Sequence, residues 1–163
     1  MPTPHRLDPQ RVADFLPPLY RAARAWTGSR EEAEDLVQET FAHVLARPRV
    51  VLGEDLGYLM RALRNTLTSR RRTASRRPQT VELQEELDAG AGRRDDQETA
   101  VENAEVLSAI AELPAEFRDA LVAVDVAGLS YNEAARLLEV PEGTVTSRLF
   151  RARDRLARRL GER

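Results

Sequence analysis

The stretch that decides the fold is residues 128–153, which read GLSYNEAARLLEVPEGTVTSRLFRAR. Ser130 and Glu133 have the spacing of a capping box, which predicts that a short helix begins there. The proline and glycine that follow predict a turn, and a final helix is expected from about Thr144 to Leu160. Two short helices joined by such a turn indicate a helix-turn-helix.

The final helix of this pair has two different faces. Val145 and Leu149 are spaced to pack back on the preceding helix, which leaves polar and basic side chains outward on the early turns. Those turns are the part of a recognition helix that reaches base edges in the major groove, with arginines beside them for phosphates. The candidate DNA contacts are Thr144, Thr146, Ser147, Arg148, Phe150, Arg151 and Arg153. The alternative is an ordinary helical hairpin with a solvated basic face, and the density of arginine favours DNA binding.

The distribution of charge supports this interpretation although the total does not. A formal net charge of -2 and a pI near 5.8 are unusual for a nucleic-acid-binding protein. Residues 61–77, however, hold seven arginines and no acid, and residues 148–163 hold seven arginines against two acids. Between them, residues 82–105 hold nine acids against two arginines. Because local fields act on a phosphate more strongly than the whole-chain sum, two basic patches flanking an acidic stretch are compatible with DNA binding.

The rest of the chain also has helical spacing. Helices are predicted to begin at Asp8, after the Pro17-Pro18 pair, at Ser29 and at Asp55, and Gly28 is expected to end the second of them. Trp26 is expected in the core, because a single aromatic residue on an apolar helix face is more often packed than exposed. The helix that begins at Ser29 is predicted to turn one apolar face inward, formed by Leu36, Val37, Thr40, Phe41, Val44 and Leu45.

Residues 76–100 lose this periodicity and are rich in charge. The predicted fold class is therefore all-α, with two small helical domains, residues 1–77 and 101–163, joined by a flexible acidic linker at 78–100.

Composition excludes several other classes of protein. The chain has no cysteine, and its two histidines, His5 and His43, are too far apart in sequence to suggest a metal cluster. No glycine-rich phosphate loop or histidine–carboxylate cluster is present, so we expect no enzyme, no cofactor and no metal. The lack of an apolar run and of a signal peptide predicts a cytoplasmic protein without membrane insertion.

Two separate stretches of the sequence resemble the conserved regions of a known family. Residues 113–118 (LPAEFR) and 128–153 resemble the fourth conserved region of bacterial RNA polymerase sigma factors of the sigma-70 family, extracytoplasmic-function type. Residues 19–41, with LYR, WTG and SREEAEDLVQETF, resemble the second conserved region, and residues 58–65 (YLMRALRN) resemble its promoter-melting helix. The resemblance implies a non-catalytic specificity subunit that carries core RNA polymerase to promoters and recognises their minus-35 and minus-10 elements.

The resemblance also implies roles for particular residues. The final helix would read the minus-35 element, and the loop Arg47–Asp55 would hold an unstacked base of the minus-10 element. That loop is aliphatic where family members often have an aromatic residue, and Tyr58 occupies a position where tryptophan is usual. Docking on core polymerase, at the beta-prime clamp helices, would use Asp35, Leu36, Gln38, Glu39 and Phe41. Contact with minus-10 DNA would use Tyr58, Arg61, Arg64, Asn65, Arg70, Arg71 and Arg72.

The partners implied are core RNA polymerase (clamp helices and beta flap), promoter DNA and an anti-sigma factor. The acidic linker could mimic nucleic-acid charge on the polymerase or serve as a solvated tether, and its composition fits both. A plain helix-turn-helix regulator would explain residues 101–163 but neither the block 35–41 nor the arginines of 61–77. A helical enzyme is the weaker alternative, because no catalytic constellation is present.

Overall fold

The computed structural model describes residues 3–47, 49–76 and 94–161, the stretch 94–102 by its backbone alone. These ranges hold seven α-helices and one short antiparallel sheet, which confirms the all-α prediction. The helices are α1 (Leu16–Thr27), α2 (Arg30–Ala46), α3 (Asp55–Ser75), α4 (Arg94–Ala111), α5 (Ala115–Leu121), α6 (Tyr131–Leu138) and α7 (Glu142–Gly161), and the strands are β1 (His5–Arg6) and β2 (Val50–Val51). Of the predicted linker, residues 78–93 lie outside the described residues, and 94–100 belong to the start of α4.

Helices α1 to α3 form the first part of the molecule. Pro17 lies in the first turn of α1, where a missing N–H leaves no hydrogen bond unmade, so the prolines begin a helix here. Gly28 ends α1 in the left-handed region, with φ of 72°, and the Ser29 hydroxyl accepts a hydrogen bond from the Glu32 N–H to start α2. Trp26 is only 2% exposed, as expected. The other large buried side chains of this part include Leu19, Leu36, Leu59, Met60 and Leu63.

Three local predictions for this part were wrong. Asp8 begins no α-helix: its carboxylate accepts from the Gln10 N–H at 2.9 Å in a turn, and a 3-10 helix follows at Val12–Phe15. Asp55 does not cap α3, because it is the first helical residue and its carboxylate bonds to His5 instead. Leu45 is 44% exposed, since it lies at the edge of the apolar stripe of α2 near the end of that helix.

Helices α4 to α7 form the second part, and α6 with α7 form the predicted helix-turn-helix. The Ser130 hydroxyl accepts from the Glu133 N–H at 3.2 Å, and the Glu133 carboxylate accepts from the Ser130 N–H at 2.8 Å. This complete capping box begins α6 as expected. The turn after α6 requires a left-handed residue, and Glu139 takes that role with φ of 57°.

The two parts pack against each other in this structure. Helix α1 contacts α4 and the π-helical segment Val122–Val126, and α3 contacts α6. Gly28 lies so close to α4 that an added Cβ would stand 3.3 Å from the Cβ of Ala111. The carboxylate of Asp119 joins the parts, because it accepts from Trp26 Nε1 at 2.9 Å and from Arg64 Nη2 at 3.2 Å.

Candidate nucleic-acid interface

The buried and exposed faces of α7 are arranged as the sequence predicts. Val145, Leu149 and Ala152 are buried against the rest of the second part. Phe150 is 74% exposed, which is uncommon for a phenylalanine, and such a ring can contact the methyl group of a thymine. The candidate contacts Thr146, Ser147 and Arg151 are exposed on the same helix, and Thr144 is half-buried.

The arginines of α7 differ in how far they are already engaged. Arg153 donates two hydrogen bonds to Asp125, at 2.9 and 2.7 Å, and these bonds raise its pKa above the ordinary value. Arg148 lies 3.5 Å from Glu116, and Arg155 lies over the ring of Phe117. Arg151 is exposed and has no ion-pair partner in the described part of the chain. It is therefore the α7 arginine most available to a ligand.

The hydroxyls of α7 are also oriented by the helix. The Thr146 hydroxyl donates to the carbonyl of Glu142 at 3.0 Å, and the Ser147 hydroxyl donates to the carbonyl of Thr144 at 3.1 Å. Because these protons are used within the helix, both oxygens are left as acceptors toward solvent. Acceptors of this kind match the amino groups that cytosine and adenine present in the major groove.

A groove of about 960 Å³ lies beside the loop 49–54. From the first part, Tyr58, Arg61 and Asn65 of α3 line it together with loop residues. From the second part, three residues of α6 form the opposite wall: Glu133, Arg136 and Leu137. In this arrangement the groove is walled by both parts of the molecule.

The other basic residues predicted to contact the minus-10 element are placed elsewhere. Arg64 donates to Asp119, Arg70 to Glu39, and Arg71 to the carbonyl of Trp26 at 3.3 Å. Arg72 is exposed near the end of α3. The structure thus brings Tyr58, Arg61 and Asn65 together at the groove and separates the remaining arginines from it.

The acidic block of α2, residues 35–41, contains both exposed and buried members of the predicted docking set. Asp35 and Gln38 are exposed, whereas Leu36 is fully buried and Phe41 is half-buried against the core. Leu36 therefore supports the surface from beneath and does not form it. Glu39 pairs with Arg70 of α3.

Sequence reasoning missed three residues of functional interest. Asp119 and His5 act through partners 93 and 50 positions away, respectively, and no periodic pattern reports such pairs. Leu45 is exposed on α2, two turns beyond Gln38, and adds an apolar surface to the acidic block.

Burial also changes the electrostatics between the two parts. Arg118 donates to the carbonyl of Ala111 at 2.6 Å, and desolvation, with the nearby charge of Arg71, lowers its pKa. Within the described ranges, no group of three or more metal-ligating side chains converges on one point. None of the described helices combines the length and the apolar character needed to cross a bilayer.

Comparison with known families gives two separate matches. Residues 11–77 match the family model of sigma-70 region 2, and residues 103–156 match that of sigma-70, region 4.

Several characterised relatives resemble the chain over most of its length. An ECF RNA polymerase sigma factor, SigM of Mycobacterium tuberculosis, is 40% identical over 145 residues, which cover 88% of this chain and 71% of the relative. SigE of Mycolicibacterium smegmatis, with the same description, is 34% identical over 85% of this chain and 55% of its own length. Among solved structures, the sigma factor RpoE of Bartonella quintana in complex with the anti-sigma factor NepR matches with a TM-score of 0.68. That match has 27% identity and covers 93% of this chain and 95% of the other. The chain therefore belongs to the ECF group of sigma-70 family RNA polymerase sigma factors.

Proposed function

We propose that the chain binds core RNA polymerase and directs it to promoters by recognising a minus-35 and a minus-10 element. The observation that carries the proposal is the exposed face of α7, on which Phe150 stands beside two short hydroxyl residues and Arg151, which forms no ion pair with the described residues. The matches to sigma-70 region 2 over residues 11–77 and to sigma-70 region 4 over residues 103–156 support it. The chain would act in the cytoplasm with the polymerase and contribute no covalent chemistry of its own.

The parts divide this work. Region 4, about residues 101–163, would read minus-35 base edges through Phe150 and Arg151. Arg148 and Arg153 would leave their present partners, Glu116 and Asp125, and bind DNA phosphates. Region 2, about residues 1–77, would accept an unstacked minus-10 base in the groove beside Tyr58, Arg61 and Asn65. In this proposal Arg64, Arg70, Arg71 and Arg72 reach DNA only after their present contacts change.

Docking on core polymerase would use the exposed side of α2 and, through region 4, the beta flap. Asp35 and Gln38 are presented to solvent there, and Leu45 adds an apolar contact of the kind that interfaces bury. An anti-sigma factor is proposed as a further partner, because the related RpoE of Bartonella quintana is held by one.

Run-off transcription with core polymerase on genomic fragments tests the function as a whole. We expect discrete transcripts that require both the chain and core polymerase, and mapping of their start sites would define the two elements. A plain helix-turn-helix regulator would instead bind duplex DNA alone and ignore the polymerase. Absence of chain-dependent transcripts, together with polymerase-independent DNA binding, would favour that second function.

The compact arrangement cannot engage both elements at once. Elements centred about 25 base pairs apart are separated by about 85 Å at about 3.4 Å per base pair. A compact chain of 163 residues has a radius of gyration of about 15 Å, so it is about 40 Å across. Since α6 also walls the minus-10 groove, the two parts must separate before the promoter is bound.

Replacing Asp119 with alanine is expected to favour this separation. The change leaves Trp26 Nε1 and Arg64 without their shared acceptor, and losing such bonds shifts a conformational equilibrium by on the order of 1–3 kcal/mol. Because the chain has no cysteine, one dye can be placed on each part through single introduced cysteines. Energy transfer between the dyes should fall in Asp119→Ala.

Asp125→Ala is the matched control for this experiment. It also removes an arginine-paired carboxylate, but its partner Arg153 belongs to the same part of the molecule. Energy transfer should therefore stay at the unmutated level in Asp125→Ala. Equal transfer in both variants would show that Asp119 does not hold the parts together.

A further inference from the structure

The amino-terminal segment pairs with the loop that lines the groove. Strands β1 and β2 are antiparallel, with His5 opposite Val51 and Arg6 opposite Val50. Val51 is 1% exposed and anchors the loop in the core, whereas Leu52 is 71% exposed. Successive residues of an extended segment point to opposite faces. A shift of the β1–β2 register by one residue would therefore exchange the buried environment of Val51 and the exposed environment of Leu52. The pairing therefore sets which loop side chains the groove receives.

A side-chain bond fixes the same loop where it enters α3. His5 Nε2 lies 2.6 Å from Asp55 Oδ1, and His5 Nδ1 lies 3.2 Å from the carbonyl oxygen of Thr3. A carboxylate and a carbonyl can only accept, so an imidazolium that donates from both nitrogens satisfies the arrangement. Asp55 is nearly buried at the first turn of α3, so its position is well defined. The loop is thus held at β2 by main-chain bonds and at its end by His5.

We propose that His5 is a positioning residue for the loop 49–54, and that it holds Val50 and Leu52 at the groove that accepts the unstacked minus-10 base. This proposal rests on the function proposed above for that groove. Val50 and Leu52 are both exposed and both line the groove, so their placement has little effect on the core. Loss of the hydrogen bond between His5 and Asp55 should consequently change DNA opening more than it changes the stability of the fold.

Because His5 can lose its proton, the bond between His5 and Asp55 depends on pH. The hydrogen bond to Asp55, the Thr3 carbonyl and the nearby charge of Glu54 raise the pKa of His5 above 6.5. A group whose pKa is raised by folding stabilises the folded arrangement fully at low pH and loses that effect as pH rises through the raised value. Positioning of the loop should therefore weaken toward alkaline pH.

Holoenzyme assembled from core polymerase and the full chain provides the test. Promoter DNA carries 2-aminopurine in place of each minus-10 adenine in turn, and its fluorescence rises when the base unstacks. We expect His5→Ala to reduce the opening constant about fivefold, the order expected for one ion pair that is partly exposed to solvent. His5→Arg retains a cation that can donate to Asp55, so it should restore opening. The opening constant of the unmutated chain, divided by that of His5→Arg, should fall as pH rises. A merely structural role of His5 would not produce this dependence on pH.

Thr3→Ala is the matched control, because Thr3 contributes only its main-chain carbonyl to His5. Its opening constant should equal that of the unmutated chain, and the melting temperature of His5→Ala should fall only slightly, by the loss of one partly exposed ion pair with Asp55. Equal opening in His5→Ala and the unmutated chain would overturn the positioning role while leaving the proposed function intact. If the unmutated holoenzyme itself unstacks no minus-10 base, the function proposed for the groove fails and the positioning role fails with it.

Discussion

Arg151→Ala is expected to reduce promoter-specific transcription about tenfold or more while core polymerase binding stays unchanged. Arg151 is exposed on the early turns of α7 and is not engaged by an acid of the described chain. A bidentate arginine–guanine contact discriminates against the wrong base by about 1–3 kcal/mol, which corresponds to this loss. The measurement is run-off transcription on promoters with each minus-35 position varied, beside the affinity of the variant for core polymerase.

Arg158→Ala is the control for the loss of one positive charge. Arg158 lies near the end of α7, 73% exposed and paired with Asp154 one turn away. A charge that acts only on phosphates changes affinity uniformly across sequences, whereas a base contact changes the order of preference. If Arg151→Ala weakened all promoters equally and resembled Arg158→Ala, the base-reading role of Arg151 would be wrong. Equal loss of core binding would contradict the separation of roles between the two parts.

What the sequence could predict in this protein is mostly local. The capping box of Ser130 and Glu133, the stop at Gly28 and the buried side of α7 depend on residues within a few positions of one another. Helical spacing and caps report such neighbours directly, so the helix-turn-helix and the all-α class were predicted correctly.

The errors arise where a distant partner competes with a local pattern. Aspartate is a residue type that commonly caps helices, but the carboxylate of Asp55 is hydrogen-bonded to His5, 50 positions away. For the same reason, the sequence does not reveal that Arg64, a proposed minus-10 contact, pairs with Asp119, 55 positions away, in this structure. A pair of this kind depends on how the helices pack, and one sequence carries no signal for it.

The structure also sharpens the choice of a docking residue. Glu39 and Asp35 are both acids of the same block, and sequence alone treats them alike. Glu39 pairs with Arg70, so its removal would disturb α3 as well as any partner surface. Asp35 is exposed, with no ion pair in the described residues, which makes its replacement the cleaner test of docking.

Asp35→Ala is therefore expected to weaken binding to core polymerase about tenfold or more, since truncating one member of a charge pair that an interface desolvates costs about 2–5 kcal/mol. Titration of labelled chain with core polymerase at one stated salt concentration measures this affinity. Binding of region 4 to minus-35 duplex DNA should be unchanged, because Asp35 lies on α2 and touches none of α7.

Asp14→Ala serves as the control, because it removes one exposed acid from the 3-10 helix without touching α2. Both variants change the net charge equally, so long-range attraction between chain and polymerase changes equally in both, and only a specific contact separates them. A loss confined to Asp35→Ala places the docking surface on α2, where Gln38 and the exposed Leu45 extend it. An affinity of Asp35→Ala equal to that of Asp14→Ala would remove Asp35 from the interface and leave docking through α2 to Gln38, Glu39 and Leu45.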